Sequence, residues 1–275
     1  MQNFIAYHIQ LPEGEKRDAL VATLMTSQAT GVEENEQECI AWFPEGQFDE
    51  SAVLEVLQKA GVGFEKKFMP AQNWNAIWEA GFEPVIIAGK VAIRAAFHAP
   101  IPGMLYEIII TPKMSFGTGH HATTSQVISA MLSIDFSGKR VFDFGAGTGI
   151  LSILTHKMGA AEVIAIDNDP LCAENFLENL AANHCTHVFF NETDTPPVLE
   201  QFDIILANIN KAVILHFLPQ LTNMLTQNGY LLLSGILKED EQEILEKSGQ
   251  CGLKYCLTNV KENWLYIQLQ AQNSG

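Results

Sequence analysis

Along residues 1–69, stretches that alternate apolar and polar side chains are separated by stretches whose apolar residues recur every three or four positions. "FIAYHIQ" (4–10) and "CIAWF" (39–43) alternate and carry β-branched or aromatic residues, which predicts strands. "GEKRDALVATLM" (14–25) and "DESAVLEVLQKAG" (49–61) have helical spacing, and "GFEKKFMP" (63–70) predicts a further strand. The implied order β-α-β-β-α-β is that of a small ferredoxin-like α+β sandwich. Residues 70–112 change character. A helical turn or two is predicted in "NWNAIWEAGF" and strands in "VIIAGKVAI" and "LYEIIIT", with prolines and glycines breaking the run repeatedly. This segment is read as a semi-rigid, apolar connector.

From about residue 125 the rhythm becomes strand, helix, strand. "RVFDF", "EVIAI", "HVFF", "FDIILAN" and "YLLLSGI" are nearly continuous apolar runs. Between them "GILSILTHKMG", "PLCAENFLENLAANH", "AVILHFLPQLTNML" and "KEDEQEILEKSG" have helical patterns. Apolar strands alternating with helices predict a mostly parallel sheet covered on both faces. Two last strands, roughly 253–260 and 263–270, follow each other without a helix and predict an antiparallel hairpin. The reading is therefore three segments: an α+β domain over 1–69, a linker over 70–112 and an α/β domain over 113–275.

In such a sheet, ligands collect beyond the carboxyl ends of the strands where the strand order reverses. "VFDFGAGTGILSI" meets that place with Gly145, Gly147 and Gly149, a spacing one residue short of the dinucleotide fingerprint. Asp143, two residues before the first glycine, argues further against a pyrophosphate, since a carboxylate there would repel it. It suits an ammonium or sulfonium, such as the methionine part of S-adenosyl-L-methionine. Asp167 ends the next strand, where an acid accepts hydrogen bonds from ribose hydroxyls; it serves either cofactor.

Charge narrows the partner. Thirty-two acidic residues oppose sixteen basic ones for a net charge of −16, and only Arg17, Arg94 and Arg140 are arginines. That leaves little with which to grip nucleic-acid phosphates. The segment 1–69 holds twelve Asp or Glu against five Lys or Arg, a field that attracts a basic partner. The five cysteines form no C-x-x-C pair, and Cys185 with His187 has no further ligand at finger spacing, so no metal is expected. With no apolar run long enough to span a membrane and no basic leader before an apolar core, a cytoplasmic protein is expected.

"DFGAGTG" followed by "AIDNDP" resembles the first two motifs of class I S-adenosylmethionine-dependent methyltransferases. "MSFGTGHHATTSQ" (114–126), "ANI" after the fourth strand, "LSGIL" at the fifth and "ENWLYIQL" near the end are more specific. They resemble the bacterial ribosomal protein L11 methyltransferases, whose small N-terminal domain, linker and Rossmann-like catalytic domain match the whole chain. The resemblance implies S-adenosyl-L-methionine as cofactor and ribosomal protein L11, a basic protein, as substrate. It places cofactor contacts at Thr124, Gly145, Asp167 and Asn208, with Asp143 and Gly147 beside them. Phe116, Gly117, Thr118 and His121 match a loop that folds over the cofactor. Asn208 is the expected catalytic residue, its side-chain carbonyl positioning an amine. The chain departs from the family at His120, Ala122, Asn210 and Lys211. Alternatives are a methyltransferase acting on another basic protein or a small amine, and a non-catalytic cofactor-binding protein.

Overall fold

The computed structural model describes residues 3–35, 37–69, 82–111 and 119–272. The chain divides into two compact units, residues 1–81 and 82–275. The first comprises β1 (Phe4–Gln10), α1 (Glu15–Thr26), β2 (Gly31–Glu34), β3 (Glu38–Pro44), α2 (Glu50–Ala60) and β4 (Gly63–Met69). Its antiparallel sheet has the order β2-β3-β1-β4, the ferredoxin-like arrangement. Strand alternation sends Ile5, Tyr7 and Ile9 of β1 to one face, where they meet Leu20 and Leu24 of α1 and Val53 and Leu57 of α2. The ends of α2 are fixed locally: the Asp49 carboxylate accepts from the Ser51 and Ala52 amides, and Gly61 closes the helix in the left-handed region.

The second unit opens with β5 (Val85–Ile87), β6 (Val91–Ala95) and β7 (Tyr106–Ile110), a sheet in that order. These strands come from the segment read as a connector. Their Ile93, Ile108 and Ile110 nevertheless join the same apolar cluster as Val127, Ile150 and Leu154, so residues 82–111 pack as part of this unit. Residues 70–81 and 112 lie outside the described residues.

The elements that follow are α3 (Ala122–Met131), β8 (Arg140–Phe144), α4 (Ile150–Lys157), β9 (Glu162–Asp167), α5 (Pro170–Ala182), β10 (Val188–Glu192) and β11 (Phe202–Asn208). Then come α6 (Lys211–Asn223), β12 (Leu225–Leu237), a short 3-10 turn, α7 (Glu241–Gln250), β13 (Leu253–Lys261) and β14 (Trp264–Ala271). The seven-stranded sheet has the order β10-β9-β8-β11-β12-β14-β13. Its first five strands are parallel, and the terminal hairpin adds antiparallel to β12. Chain order runs outward in one direction from β8 and in the other from β11. The reversal point therefore lies between these two neighbours.

Each face of the sheet carries its own core. Val141, Ile204 and Leu206 face Val127, Ile150, Leu154 and Phe176 of α3, α4 and α5. Phe142, Phe144, Ile205 and Ala207 face Ile214, Leu218 and Ile244 of α6 and α7. Helix α3 is the element that hydrophobic periodicity does not announce. Residues 122–128 are all buried, so there is no polar face to set up a period.

Candidate active site

The two-residue repeat of the strands decides what reaches the reversal point. Leu206 of β11 lies beside Asp143 of β8 in the parallel register. Both face the α3–α5 side, and so does Asn208, two residues beyond Leu206. Asp143, Asn208 and α3 are thereby directed to one corner, at the carboxyl ends of β8 and β11.

The glycine turn after β8 is held by backbone bonds from below. Amides of Gly145 and Ala146 donate to the Ile166 carbonyl at 2.9 and 3.0 Å. The Gly147 amide donates to Asp167 Oδ2 at 2.8 Å, while Asp167 Oδ1 accepts from the Asp169 amide at 3.0 Å. Gly145, Gly147 and Gly149 have φ of 74°, 55° and 80°, in the left-handed region that favours glycine. Asp167 is thus part of the turn's framework as well as an acid at its rim.

Asp143 lies beneath the turn and is 1% exposed. Ser152 of α4 donates its hydroxyl to Asp143 Oδ2 at 2.6 Å. Loss of hydration pushes the Asp143 carboxyl up to about 7, only partly offset by the Ser152 bond, and the nearby Asp167 charge adds to the rise. The structure adds Ser152, which no sequence motif singles out, as the hydrogen-bond partner of Asp143.

At the end of β11, Asn208 Nδ2 donates to Thr124 Oγ1 at 3.3 Å, and Thr124 is wholly buried. Asn208 Oδ1 is buried with no hydrogen-bond partner among the described residues. A buried acceptor without a donor is uncommon in native proteins and marks a place that a ligand can complete. Ile209 next to it is seated between two glycines. A Cβ on Gly145 would come within 2.2 Å of Ile209 Cγ2, and one on Gly235 within 2.3 Å of the Ile209 carbonyl oxygen. Gly235 has φ of 80° at an irregularity in the β12–β14 register. A lone glycine inside an apolar strand is the sequence signal for such a close approach.

Of the loop residues, Phe116, Gly117 and Thr118 lie outside the described residues. His121 caps α3: its Nδ1 accepts from the Thr123 amide at 3.3 Å, and its ring meets Trp264 edge-on at 5.0 Å. His120 bonds instead to the Glu83 carbonyl at 3.1 Å and stands edge-on to Phe82. The departures after Asn208 also have local partners. Asn210 caps α6 by accepting from the Val213 amide, and Lys211 donates to Asp240 and Glu243 at 2.6 and 3.0 Å. Neither side chain is bonded toward Asn208. Among the described residues, no three His, Cys, Asp or Glu side chains are grouped to hold a metal.

The glycine turn and the acid at its rim fit a nucleoside cofactor. Comparison with known proteins agrees with that chemistry. Residues 7–272 match the family described as ribosomal protein L11 methyltransferase (PrmA). A protein of that name from Porphyromonas gingivalis is 38% identical over 259 residues, 91% of this chain and 89% of its own. One from Phocaeicola vulgatus is 36% identical over 236 residues, 83% and 84% of the two chains. The crystal structure of the ribosomal protein L11 methylase from Lactobacillus delbrueckii subsp. bulgaricus has a TM-score of 0.65 at 25% identity. It covers 70% of this chain and 100% of that one. Sequence, strand order and site together mean that the chain belongs to the ribosomal protein L11 methyltransferase (PrmA) family.

Proposed function

We propose that this protein transfers methyl groups from S-adenosyl-L-methionine to amine nitrogens of ribosomal protein L11, at its N-terminal α-amine, lysine side chains or both. The observation that carries the reading is the buried Asn208 Oδ1 at the reversal point of the sheet, without a hydrogen-bond partner among the described residues. When bound, the cofactor supplies a methyl on a sulfonium, already a good leaving group, so the protein's work is alignment.

Asn208 Oδ1 accepts one N–H of the incoming amine and thereby aims its lone pair. Thr124, which takes the Asn208 Nδ2 bond, keeps that carbonyl turned to the substrate. Asp167 takes the ribose hydroxyls with the lone pairs left over from the Gly147 and Asp169 amides. Gly145 and Gly147 let the chain approach the cofactor closely, Asp143 braces the turn from below through Ser152, and His121 holds the start of α3. The amine must be neutral to attack: an α-amine near ~7.7–8.0 is close to that at neutral pH, whereas a lysine near ~10.4 needs desolvation to lower it.

The acidic segment 1–69 serves as the docking domain for the basic substrate, and 113–275 as the catalytic domain. The thiols of Cys172, Cys185, Cys251 and Cys256 suit a reducing compartment, the cytoplasm. Intact-mass spectrometry of L11 incubated with the enzyme and S-adenosyl-L-methionine tests the reading. A series of added methyl masses, lost with Asn208→Ala, is expected; an unshifted L11 mass with wild-type enzyme would refute it.

A further inference from the structure

The open edge of β7 is completed by side chains of a helix. Asn175, Asn179 and Asn183 stand at successive four-residue steps along α5 and its C-terminal cap, and all three are buried. The Ile109 amide donates to Asn183 Oδ1 at 2.9 Å, and Asn183 Nδ2 donates back to the Ile109 carbonyl at 2.5 Å. The Thr111 amide donates to Asn179 Oδ1 at 2.7 Å, and Asn175 Nδ2 donates to the Thr111 carbonyl at 3.2 Å. The match is geometric. Four helical residues rise about 6 Å, and two strand residues about 6.6 Å. A carboxamide stripe on a helix can therefore pair with alternate residues of a strand.

Asn179 differs from Asn183 in one respect that bears on the site. Its Nδ2 also donates at 2.8 Å to the carbonyl of Thr148, inside the glycine turn, and at 2.7 Å to Asn175 Oδ1. The amide is fully used: both donors and its acceptor have partners. The Gly147–Gly149 segment is consequently held from two sides, by Asp167 on the Gly147 amide and by Asn179 on the Thr148 carbonyl. With that carbonyl turned toward α5, the next amide, Gly149, points back to the Ala146 carbonyl at 2.9 Å and closes the turn.

We propose that Asn179 is a positioning residue for cofactor binding, holding the glycine turn through Thr148 against a strand edge that lies outside the main sheet. The inference rests on the glycine turn being the S-adenosyl-L-methionine site.

Calorimetric binding of S-adenosyl-L-methionine and S-adenosylhomocysteine, without L11, separates this role from a purely structural one. Asn179→Ala should raise both dissociation constants by about tenfold, the equivalent of one hydrogen bond's net worth. It should also speed amide exchange across residues 145–149. Asn183→Ala, which loses the Ile109 bonds but none to the turn, should lower the melting temperature and leave both constants within about twofold. Asn179→Ser, which retains a short donor, replaces the alanine variant if that one does not fold. Wild-type affinity in the Asn179 variants, or equal weakening in Asn183→Ala, overturns the proposal. Absence of binding by the wild-type protein overturns the reading of the site itself, and this inference with it.

Discussion

Asp143 ties a single residue to a measurable property of the whole fold. Its folded-state carboxyl titrates at about 7, above the ~3.9 expected of an exposed aspartate. The folded chain keeps this proton over an interval in which the unfolded chain releases it. The associated stability is therefore full below about pH 4 and lost as pH rises toward 7, at no more than about 1.36 kcal/mol per pH unit. A carboxamide in its place has no proton to release, so Asp143→Asn should flatten that part of the profile. Denaturant titrations of both proteins between pH 5 and 7 should diverge; parallel curves would mean that Asp143 is not buried as described. Asp143 itself was legible as a strand-end acid ahead of a glycine turn. Its partner was not, because the bond to Ser152 spans a turn and depends on how α4 sits over β8.

At the scale of elements, the loop after β11 is held by its neighbours more than by its own sequence. Ile209 occupies the space left by two absent side chains, at Gly145 and Gly235. Gly235→Ala would meet the Ile209 backbone and also place alanine in the left-handed region, worth about 1–2 kcal/mol by itself. Asn208 would move with Ile209, and a shift of about 1 Å at a reacting centre can lower turnover 100-fold. The expected outcome is a fall in kcat well beyond what the lowered melting temperature accounts for. A kcat near that of the wild type in a folded variant would show that the loop has another anchor. Periodicity identified β8, β9, β11, α4 and α5 because each has a face or a continuous apolar run. It passed over α3 because that helix is buried on every side through its first two turns, and its cap is a histidine rather than Ser, Thr, Asp or Asn.

For the whole molecule, charge is the property that sets behaviour toward a partner. The chain carries a net charge of −16, and each arginine is engaged within its own unit. Arg17 donates to the Asn35 carbonyl, Arg94 grips Glu107 with two parallel bonds, and Arg140 bridges Glu162 and Glu200. An acidic surface attracts a basic ribosomal protein over a distance that salt shortens. Raising salt from ~0.1 M to ~1 M reduces the screening length from about 10 to about 3 Å. The KM for L11 should rise across that range while the dissociation constant of S-adenosyl-L-methionine, set inside the fold, changes little. A KM indifferent to salt would count against electrostatic docking. Among the described residues, no helix is long and apolar enough to cross a membrane.

The amino-acid sequence by itself determined the two architectures and the placing of the glycine turn, Asp143, Asp167 and Asn208 at the carboxyl ends of strands. These depend on local spacing, and local spacing is written in order along the chain. Only the tertiary structure decided that Asn208 meets Thr124, 84 positions away, and leaves its carbonyl without a partner among the described residues. The same holds for the join of residues 82–111 to the rest of their unit through an asparagine stripe on α5. Such pairings are set by strand register and by which face of a helix turns inward, and both follow from packing across the fold rather than from neighbours in sequence.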